Sequence, residues 1–343
     1  MSPIELTRKL IDIESISGNE KAVAYFLRDH LQSLGARVEM EEAEPDRPNV
    51  FASWGNPDVV LSTHTDTVPP FIASREDDRF VYGRGACDAK GIIAAQVQAA
   101  ASLRAGGITD FGLLYLVGEE RNSAGALAAN RNPRGQCRYL INGEPTENRL
   151  ALGTKGVLRL EIEATGRAAH SAYPELGESA IEKLLEALNR LRGMALPEDP
   201  VLGKTTCNIG ILRGGIAPNV IPDAASAELM YRLVGPAEPL LAAVRQAVGE
   251  LATVKKTLEI PPARLSRMDG LETTVVAFAT DIPSLSAWGQ PFLIGPGSIH
   301  VAHTAEERIS KAELLQAAEI YVKMVKRLKQ EFGARALPEA RNN

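Results

Sequence analysis

Histidines and carboxylates occur along this chain in an order that suits two metal ions. His64 and Asp66 follow an apolar run, and Asp88 lies further along in a glycine-rich segment. Glu119, Glu120, Glu144 and His303 follow later in the chain and offer the same two kinds of ligand. Zinc binds imidazole nitrogen and carboxylate oxygen, and two ions about 3.5–4 Å apart need one shared carboxylate and ligands of their own. The sequence therefore predicts a two-metal site.

Four residues of this predicted site, His64, Glu119, Glu120 and Glu144, come directly after predicted strands. Residues 59–63, 113–117 and 139–142 are short apolar runs typical of buried strands. Predicted helices at 91–103 and 123–130 lie between them, which is the pattern of parallel crossover units. Ligands of such sheets bind beyond the carboxyl ends of the strands, which is where these side chains fall. We therefore predict an α/β fold with a central, mostly parallel sheet.

The pattern changes near residue 155. Leu158 and Leu160 alternate with Arg159 and Glu161, as in a strand with one face in water. The 343 residues of the chain also exceed the size of about 250–300 residues at which single cores stop growing. We predict a discontinuous metal-binding domain of residues 1–155 and 266–343, and an inserted α+β domain of residues 156–265.

Several helix boundaries are predicted from capping signals. Three serine–glutamate pairs have capping-box spacing, and they are Ser2 with Glu5, Ser17 with Glu20, and Ser310 with Glu313. The last pair opens a long final helix that Gly333 is predicted to end. A further helix is predicted over residues 272–280.

Composition narrows the functional class. A net charge of -5 with intermixed signs argues against a nucleic-acid or anionic-membrane partner. The 3 cysteines are far apart, so they predict neither a disulfide framework nor a thiolate zinc site. No window approaches the ~18 uninterrupted apolar residues of a membrane helix, and the N-terminus does not have the pattern of a signal peptide. We expect a cytoplasmic protein with a small-molecule partner.

Six segments in sequence order resemble one family, that of dinuclear zinc amidohydrolases and exopeptidases such as acetylornithine deacetylase, succinyl-diaminopimelate desuccinylase, aminoacylase and carboxypeptidase G. The matching segments are residues 64–69, 83–91, 118–120, 143–145, 214–222 and 295–303. Several ordered matches are far more specific than any one of them. The resemblance covers nearly the whole chain and implies the fold of a zinc peptidase with an inserted lid and dimerisation domain.

The resemblance also implies how the metal ligands are shared. Asp88 would bridge both ions, His64 and Glu144 would complete the first ion, and Glu120 and His303 the second. His300 could equally offer a nitrogen by its position, but His303 lies at the family's distance from the glycine turn. Cys87 beside Asp88 could be a stray soft ligand or a packed side chain. The mixed nitrogen and oxygen set favours zinc and leaves cobalt or manganese open.

Other residues match the family's catalytic and substrate-binding positions. Glu119 would be the base that moves protons, and Asp66 the carboxylate that orients a metal-bound imidazole. His170 would reach the active site of the partner subunit and stabilise the oxyanion, with Asn219 as a further donor. Arg232 would bind a substrate carboxylate in bidentate fashion. The family also implies a cis peptide bond between Asp88 and Ala89.

The sequence thus predicts a homodimeric two-metal hydrolase that cleaves the amide bond of an N-acyl amino acid of the acetylornithine type. A dipeptidase or carboxypeptidase with the same site is the first alternative. A hydrolase of an amino-acid intermediate linked to a carrier protein is another. A binding protein without turnover is disfavoured, because Glu119 and every ligand are present.

Overall fold

The computed structural model describes residues 1–335, which divide into two compact units. The first unit comprises Met1–Leu152, Leu265–Thr274 and the chain from Thr280 onward, and the second comprises Gly153–Arg264 and Val275–Ala279. Each unit has a hydrophobic core of its own.

Seven α-helices occur in the described residues. They are α1 (Pro3–Asp12), α2 (Lys21–Ser33), α3 (Lys90–Ala105), α4 (Ala124–Arg131), α5 (Ala180–Arg192), α6 (Ala237–Val248) and α7 (Lys311–Arg335). No helix among residues 1–335 is both long and apolar enough to cross a membrane.

The strands of the described chain are numbered in sequence order. They are β1 (Arg37–Glu44), β2 (Arg47–Trp54), β3 (Val59–His64), β4 (Arg75–Glu76), β5 (Phe80–Tyr82), β6 (Phe111–Leu116), β7 (Tyr139–Asn142), β8 (Leu150–Thr154), β9 (Gly156–Thr165), β10 (Ala169–His170), β11 (Glu198–Asp199), β12 (Gly203–Lys204), β13 (Thr206–Gly214), β14 (Val220–Ile221), β15 (Ala224–Leu233), β16 (Thr253–Ile260), β17 (Ala263–Arg264), β18 (Thr273–Val276), β19 (Gln290–Leu293) and β20 (Arg308–Ser310).

The first unit is built on a six-stranded sheet with the order β1-β2-β6-β3-β7-β19. Strands β6, β3, β7 and β19 run parallel, whereas β1 and β2 add an antiparallel hairpin at one edge. Strands β3, β6 and β7 are buried along their whole length, as expected for a sheet covered on both faces. This confirms the predicted α/β fold with a mostly parallel central sheet.

Helix α3 packs against α1 and α7 in the core of this unit. Its alanine-rich sequence lets it approach its neighbours closely, and it begins immediately after Asp88 and Ala89. The core of the unit therefore fixes the direction in which Asp88 enters the site.

The second unit contains an antiparallel sheet with the order β13-β15-β9-β16. One face of β9 and β15 packs against α5, and α6 joins the same core. Every residue of the edge strand β13 is exposed. The alternation of buried and exposed residues along β9 agrees with the sequence pattern that predicted a strand with one wet face.

The helix predicted over residues 272–280 is wrong. This segment contains β18, Thr273–Val276, followed by a bend at residues 277–278. The run of four β-branched residues explains the difference, because side chains branched at Cβ lose rotamer freedom in a helix and pack well on a sheet.

Two other helix-end predictions were also wrong. Helix α2 begins at Lys21 without a side-chain cap, because Ser17 donates its hydroxyl to Asp66 and Glu20 pairs with Arg47 instead. Helix α7 continues past Gly333 to Arg335. The capping box of Ser2 and Glu5 is confirmed, with both reciprocal hydrogen bonds present.

Candidate metal centre

The carboxyl ends of three neighbouring parallel strands bring the predicted ligands together. Strand β3 ends at His64, and Glu144 follows the end of β7. Strand β6 leads to Gly118, whose φ of 78° is a left-handed conformation that glycine adopts at low cost, and then to Glu119 and Glu120. This is the edge at which parallel sheets bind their ligands.

Asp88 lies between the two histidines, with one carboxylate oxygen toward each. His64 Nε2 is 2.9 Å from Asp88 Oδ1, and His303 Nε2 is 3.2 Å from Asp88 Oδ2. His303 Nε2 is also 2.8 Å from Glu120 Oε1. The peptide bond between Asp88 and Ala89 is cis, as the resemblance implies. An arrangement in which one carboxylate faces two imidazoles is what a bridging ligand requires.

Asp66 connects His64 to the loop that carries the acidic pair. Its two carboxylate oxygens accept the backbone amides of Glu119 at 3.1 Å and Glu120 at 3.2 Å, and Oδ2 also accepts the Ser17 hydroxyl at 2.6 Å. His64 Nδ1 is 3.0 Å from the backbone oxygen of Asp66 and 3.5 Å from the carboxylate. The closer contact is therefore with the backbone carbonyl, which leaves His64 Nε2 for a metal ion.

The charges of the site shift several pKa values in opposite directions. Burial raises the pKa of Glu119 and Glu144 well above their ordinary range, and repulsion between the neighbouring carboxylates adds to that effect. Hydrogen bonds to Asp88 and Glu120 raise the pKa of His303 to about 10. Burial would raise the pKa of Asp88, but the two histidines lower it below its usual value. A cation bound among these residues would stabilise the ionised form of the buried carboxylates and so lower their pKa values.

The residues present fit divalent metal ions. One ligand atom from each of His64, Asp88 and Glu120 lies within 4.8 Å of the others. Glu144 is 4% exposed, and its Oε1 has no hydrogen-bond partner in the described chain. A buried carboxylate oxygen without a partner is costly unless a cation or a donor binds it. Imidazole and carboxylate together suit zinc, cobalt and manganese.

His303 is held in an unusual backbone conformation, with a φ of 63°. The preceding glycine turn packs closely on the loop of Asp88, since a Cβ at Gly297 would lie 2.5 Å from Cys87 Cβ. His300 is exposed and interacts electrostatically with Glu147. Of the two candidate histidines, His303 is therefore the one that contacts Asp88.

Cys87 is buried, and burial raises the pKa of its thiol, so it has the surroundings of a packed side chain.

The remaining predicted residues lie in the second unit. His170 in β10 pairs with Val220 in β14, and the Ser171 amide donates to Asn219 O at 3.1 Å, so His170 and Asn219 are neighbours there. Both side chains are exposed. Arg232 is half-buried in β15, and burial lowers the pKa of its guanidinium. No acidic group of residues 1–335 forms an ion pair with Arg232.

Asp281 is a site residue that the sequence reasoning missed. Its carboxylate is 1% exposed, and neither oxygen has a well-aligned hydrogen bond among the described residues, although the nearby Ser123 side chain acts to lower its pKa. Burial raises its pKa to about 6, and its charge acts on Glu119 and Glu144. The sequence does contain a signal for Asp281, because an aspartate in a segment of otherwise apolar or small residues needs a partner if it is buried.

Comparison with known sequences defines the family. The sequence model of peptidase family M20/M25/M40 matches residues 60–327, and the chain belongs to this family. A peptidase M20 domain-containing protein of Schizosaccharomyces pombe is 37% identical over 334 residues, covering 94% of this chain and 84% of the relative. A probable carboxypeptidase of Aspergillus terreus is 40% identical over 365 residues, covering 93% and 84%.

Solved structures agree with the fold. A tripeptidase from Staphylococcus aureus has a TM-score of 0.79 at 22% identity and covers 95% of this chain and 98% of its own. A dinuclear metal-binding peptidase of family M20 from Bacillus subtilis has a TM-score of 0.68 at 16% identity, covering 94% and 98%. With the family membership and the metal-ligand geometry, the protein is a metal-dependent hydrolase acting on amide bonds.

Proposed function

We propose that this protein hydrolyses an amide bond whose nitrogen belongs to an amino acid with a free α-carboxylate. N-acyl amino acids of the acetylornithine type and peptides cleaved at their last residue both have this feature. The placement of the Asp88 carboxylate between His64 and His303 carries the proposal, because it supports a shared ligand for two ions. The relative from Aspergillus terreus is named a probable carboxypeptidase, which supports the peptide substrates.

The proposed ligands follow from the same residues. Asp88 would be shared by two ions, His64 and Glu144 would hold one of them, and Glu120 and His303 would hold the other. The two ions, with zinc as our first choice, would supply Lewis acidity that polarises the amide carbonyl and activates water. Glu119 takes the proton from the attacking water and delivers it to the nitrogen of the departing amine.

Arg232 supports a substrate with a carboxylate. A half-buried guanidinium with no acidic partner in the described chain has unused donors in a fixed plane, and a carboxylate can accept two of them at once. His170 and Asn219 are the proposed donors to the oxyanion that forms when the carbonyl is attacked.

We further propose that the protein acts as a homodimer. Within residues 1–335, strand β13 pairs with β15 alone and leaves its other edge open, and it exposes apolar side chains. Ile209 and Ile211 are each 38% exposed and Leu212 is 56% exposed. An open edge with apolar side chains favours pairing with another chain, and a second copy presents the same edge. In this dimer His170 serves the partner's active site.

The first experiment is a substrate panel. Amine release is measured from N-acetyl and N-succinyl amino acids, dipeptides and longer peptides, each with a free or an amidated carboxyl group. We expect turnover of one acyl class with a free carboxylate, lost on chelation and restored by zinc. Arg232→Met should raise KM for the free acid and leave the amidated analogue unaffected.

Four outcomes of the panel separate the alternatives. Preference for a free α-amine on the acyl side would make the protein a dipeptidase, and preference for its absence a deacylase. Equal turnover of acid and amide would contradict the carboxylate proposal. If no compound of the panel is hydrolysed while two metal ions are bound, the proposal of a small substrate is contradicted and a larger, carrier-linked substrate is favoured.

Replacing His170 with alanine is expected to lower kcat by about 100–1,000-fold, the loss typical of one oxyanion donor. Metal content should not change. The test of a contribution across the dimer is complementation between His170→Ala and Glu119→Gln subunits. A mixed dimer retains one site with both residues intact, so activity should return on mixing. Absence of recovery in a proven mixed dimer would show that His170 acts within its own chain.

A further inference from the structure

Glu307 is a buried carboxylate that the proposed chemistry does not use. It follows His303 by four positions in the sequence and is 1% exposed. Its neighbour Glu306 is exposed. A buried acid requires donors or a cation, and the donors of Glu307 all come from the loop that carries Asp88.

The carboxylate of Glu307 binds this loop through both oxygens. Oε1 accepts the backbone amides of Gly85 at 2.9 Å, Asp88 at 3.3 Å and Cys87 at 3.4 Å. Oε2 accepts Arg84 Nη1 at 2.6 Å. The amide of the bridging residue is therefore bound directly by Glu307.

Two further bonds run in the same direction, from donors of the Asp88 loop to acceptors of the His303 segment. The backbone amide of Gly83 donates to Glu307 O at 3.1 Å, and Arg84 Nη1 also donates to Thr304 O at 3.2 Å. Arg84 is 2% exposed, so the pair is shielded from water and from salt screening. Two chain segments that are distant in sequence, one with Asp88 and one with His303, are joined here by side-chain and main-chain bonds.

The two halves of the metal centre depend on this contact to different degrees. His64 ends strand β3 and is placed by the central sheet. His303 lies outside any strand or helix, in a left-handed conformation. The bonds of Glu307 and Arg84 join its segment to the Asp88 loop next to the pairing of β20 with β5, and there Nε2 of His303 meets Asp88 Oδ2 at 3.2 Å.

We propose that Glu307, paired with Arg84, is a positioning residue that sets the distance between Asp88 and His303 and thereby forms the His303 side of the metal centre. This inference rests on the proposed pair of metal ions. It predicts an unequal effect, in which loss of the pair weakens the ion held by Glu120 and His303 far more than the ion held by His64 and Glu144.

The test uses Glu307→Gln, which keeps the size of the side chain and removes its charge. The side-chain NH2 group of the glutamine replaces one carboxylate oxygen, so it must face either the Arg84 guanidinium or the backbone amides. Whichever of these donors it faces loses its acceptor. We expect one ion to bind as in the wild type and the second to bind about 10–100-fold more weakly, the loss typical when a residue supporting a ligand is changed. Titration with zinc against a chromophoric chelator measures both affinities.

A second readout reports on geometry. The visible absorption of the cobalt-loaded protein depends on the arrangement of the ligands, and it should change in Glu307→Gln for the second ion added and not for the first. On the best substrate of the panel, kcat should fall more than KM rises. Arg84→Lys keeps the positive charge but loses the planar fork, and it should cause a smaller change of the same kind.

Asp58→Asn is the matched control. Asp58 is 8% exposed and binds Lys329 Nζ at 2.9 Å, but it precedes the amino end of β3, opposite to His64. It should lower the denaturation midpoint without changing either zinc affinity. If Glu307→Gln does not fold, Arg84→Lys carries the test alone.

The possible results separate this inference from the proposed substrate. Two wild-type zinc affinities and an unchanged cobalt spectrum in the folded variants would overturn the positioning role. Equal weakening of both ions would overturn it as well. Loss of one ion from a protein that cleaves nothing in the panel would support the positioning role and contradict the substrate class. A wild-type protein that binds fewer than two ions would overturn both.

Discussion

Glu119→Gln is expected to lower kcat by about 10²–10⁴-fold while two metal ions stay bound, because a general base is removed and no ligand is lost. Glu119 and Glu120 are adjacent, yet their surroundings differ. Glu120 Oε1 is 2.8 Å from His303 Nε2. The side chain of Glu119 makes no hydrogen bond or ion pair within residues 1–335, although its amide is fixed by Asp66. Glu119 is therefore held in place at the backbone with its carboxylate free for proton transfer.

The measurement pairs steady-state kinetics with metal analysis of the same protein sample. Glu120→Gln is the matched control, since it changes the adjacent residue in the same way but weakens a ligand. It should lose one ion as well as activity, and excess zinc should restore part of that activity. Glu119→Gln should not respond to zinc. Full activity in Glu119→Gln, or loss of metal from it, would contradict its assignment as the base.

Much of the metal centre could be predicted because its residues follow strands. A parallel sheet brings the carboxyl ends of its strands to one edge, so His64, Glu120 and Glu144 could be grouped from strand positions alone. Asp88 and His303 arrive from loops, so their residue types made them candidates and the family resemblance supplied their assignment to the two ions. The structure brings His303, rather than His300, to Asp88.

The parts that could not be predicted depend on tertiary contacts. Ser17 and Glu20 have the spacing of a capping box, but their side chains bind Asp66 and Arg47, and such contacts leave no local pattern. Glu306 and Glu307 look alike in sequence, and only the fold shows which one is buried. The helix expected over residues 272–280 failed because its β-branched run was given too little weight.

Asp88→Ala is expected to remove both metal ions and to lower activity by more than about 10³-fold, since each ion contributes several kcal/mol to the reaction. The reason is the position of its two oxygens, 2.9 Å from His64 Nε2 and 3.2 Å from His303 Nε2. Loss of a ligand that binds only one ion should change the metal content differently. His303→Ala should release one ion and keep the other, with His64, Asp88 and Glu144 as its ligands.

Metal content after gel filtration against a defined zinc buffer distinguishes the two variants, and circular dichroism shows whether each is folded. Removing the buried Asp88 carboxylate takes one acidic partner from each of two imidazoles with raised pKa values, while His64 keeps Asp66 and His303 keeps Glu120. Both rings should then titrate closer to their ordinary range, which NMR of the metal-free protein can follow. Two ions retained by a folded Asp88→Ala would contradict a shared ligand. One ion retained would assign Asp88 to a single metal, and the proposed ligand sharing would have to be abandoned.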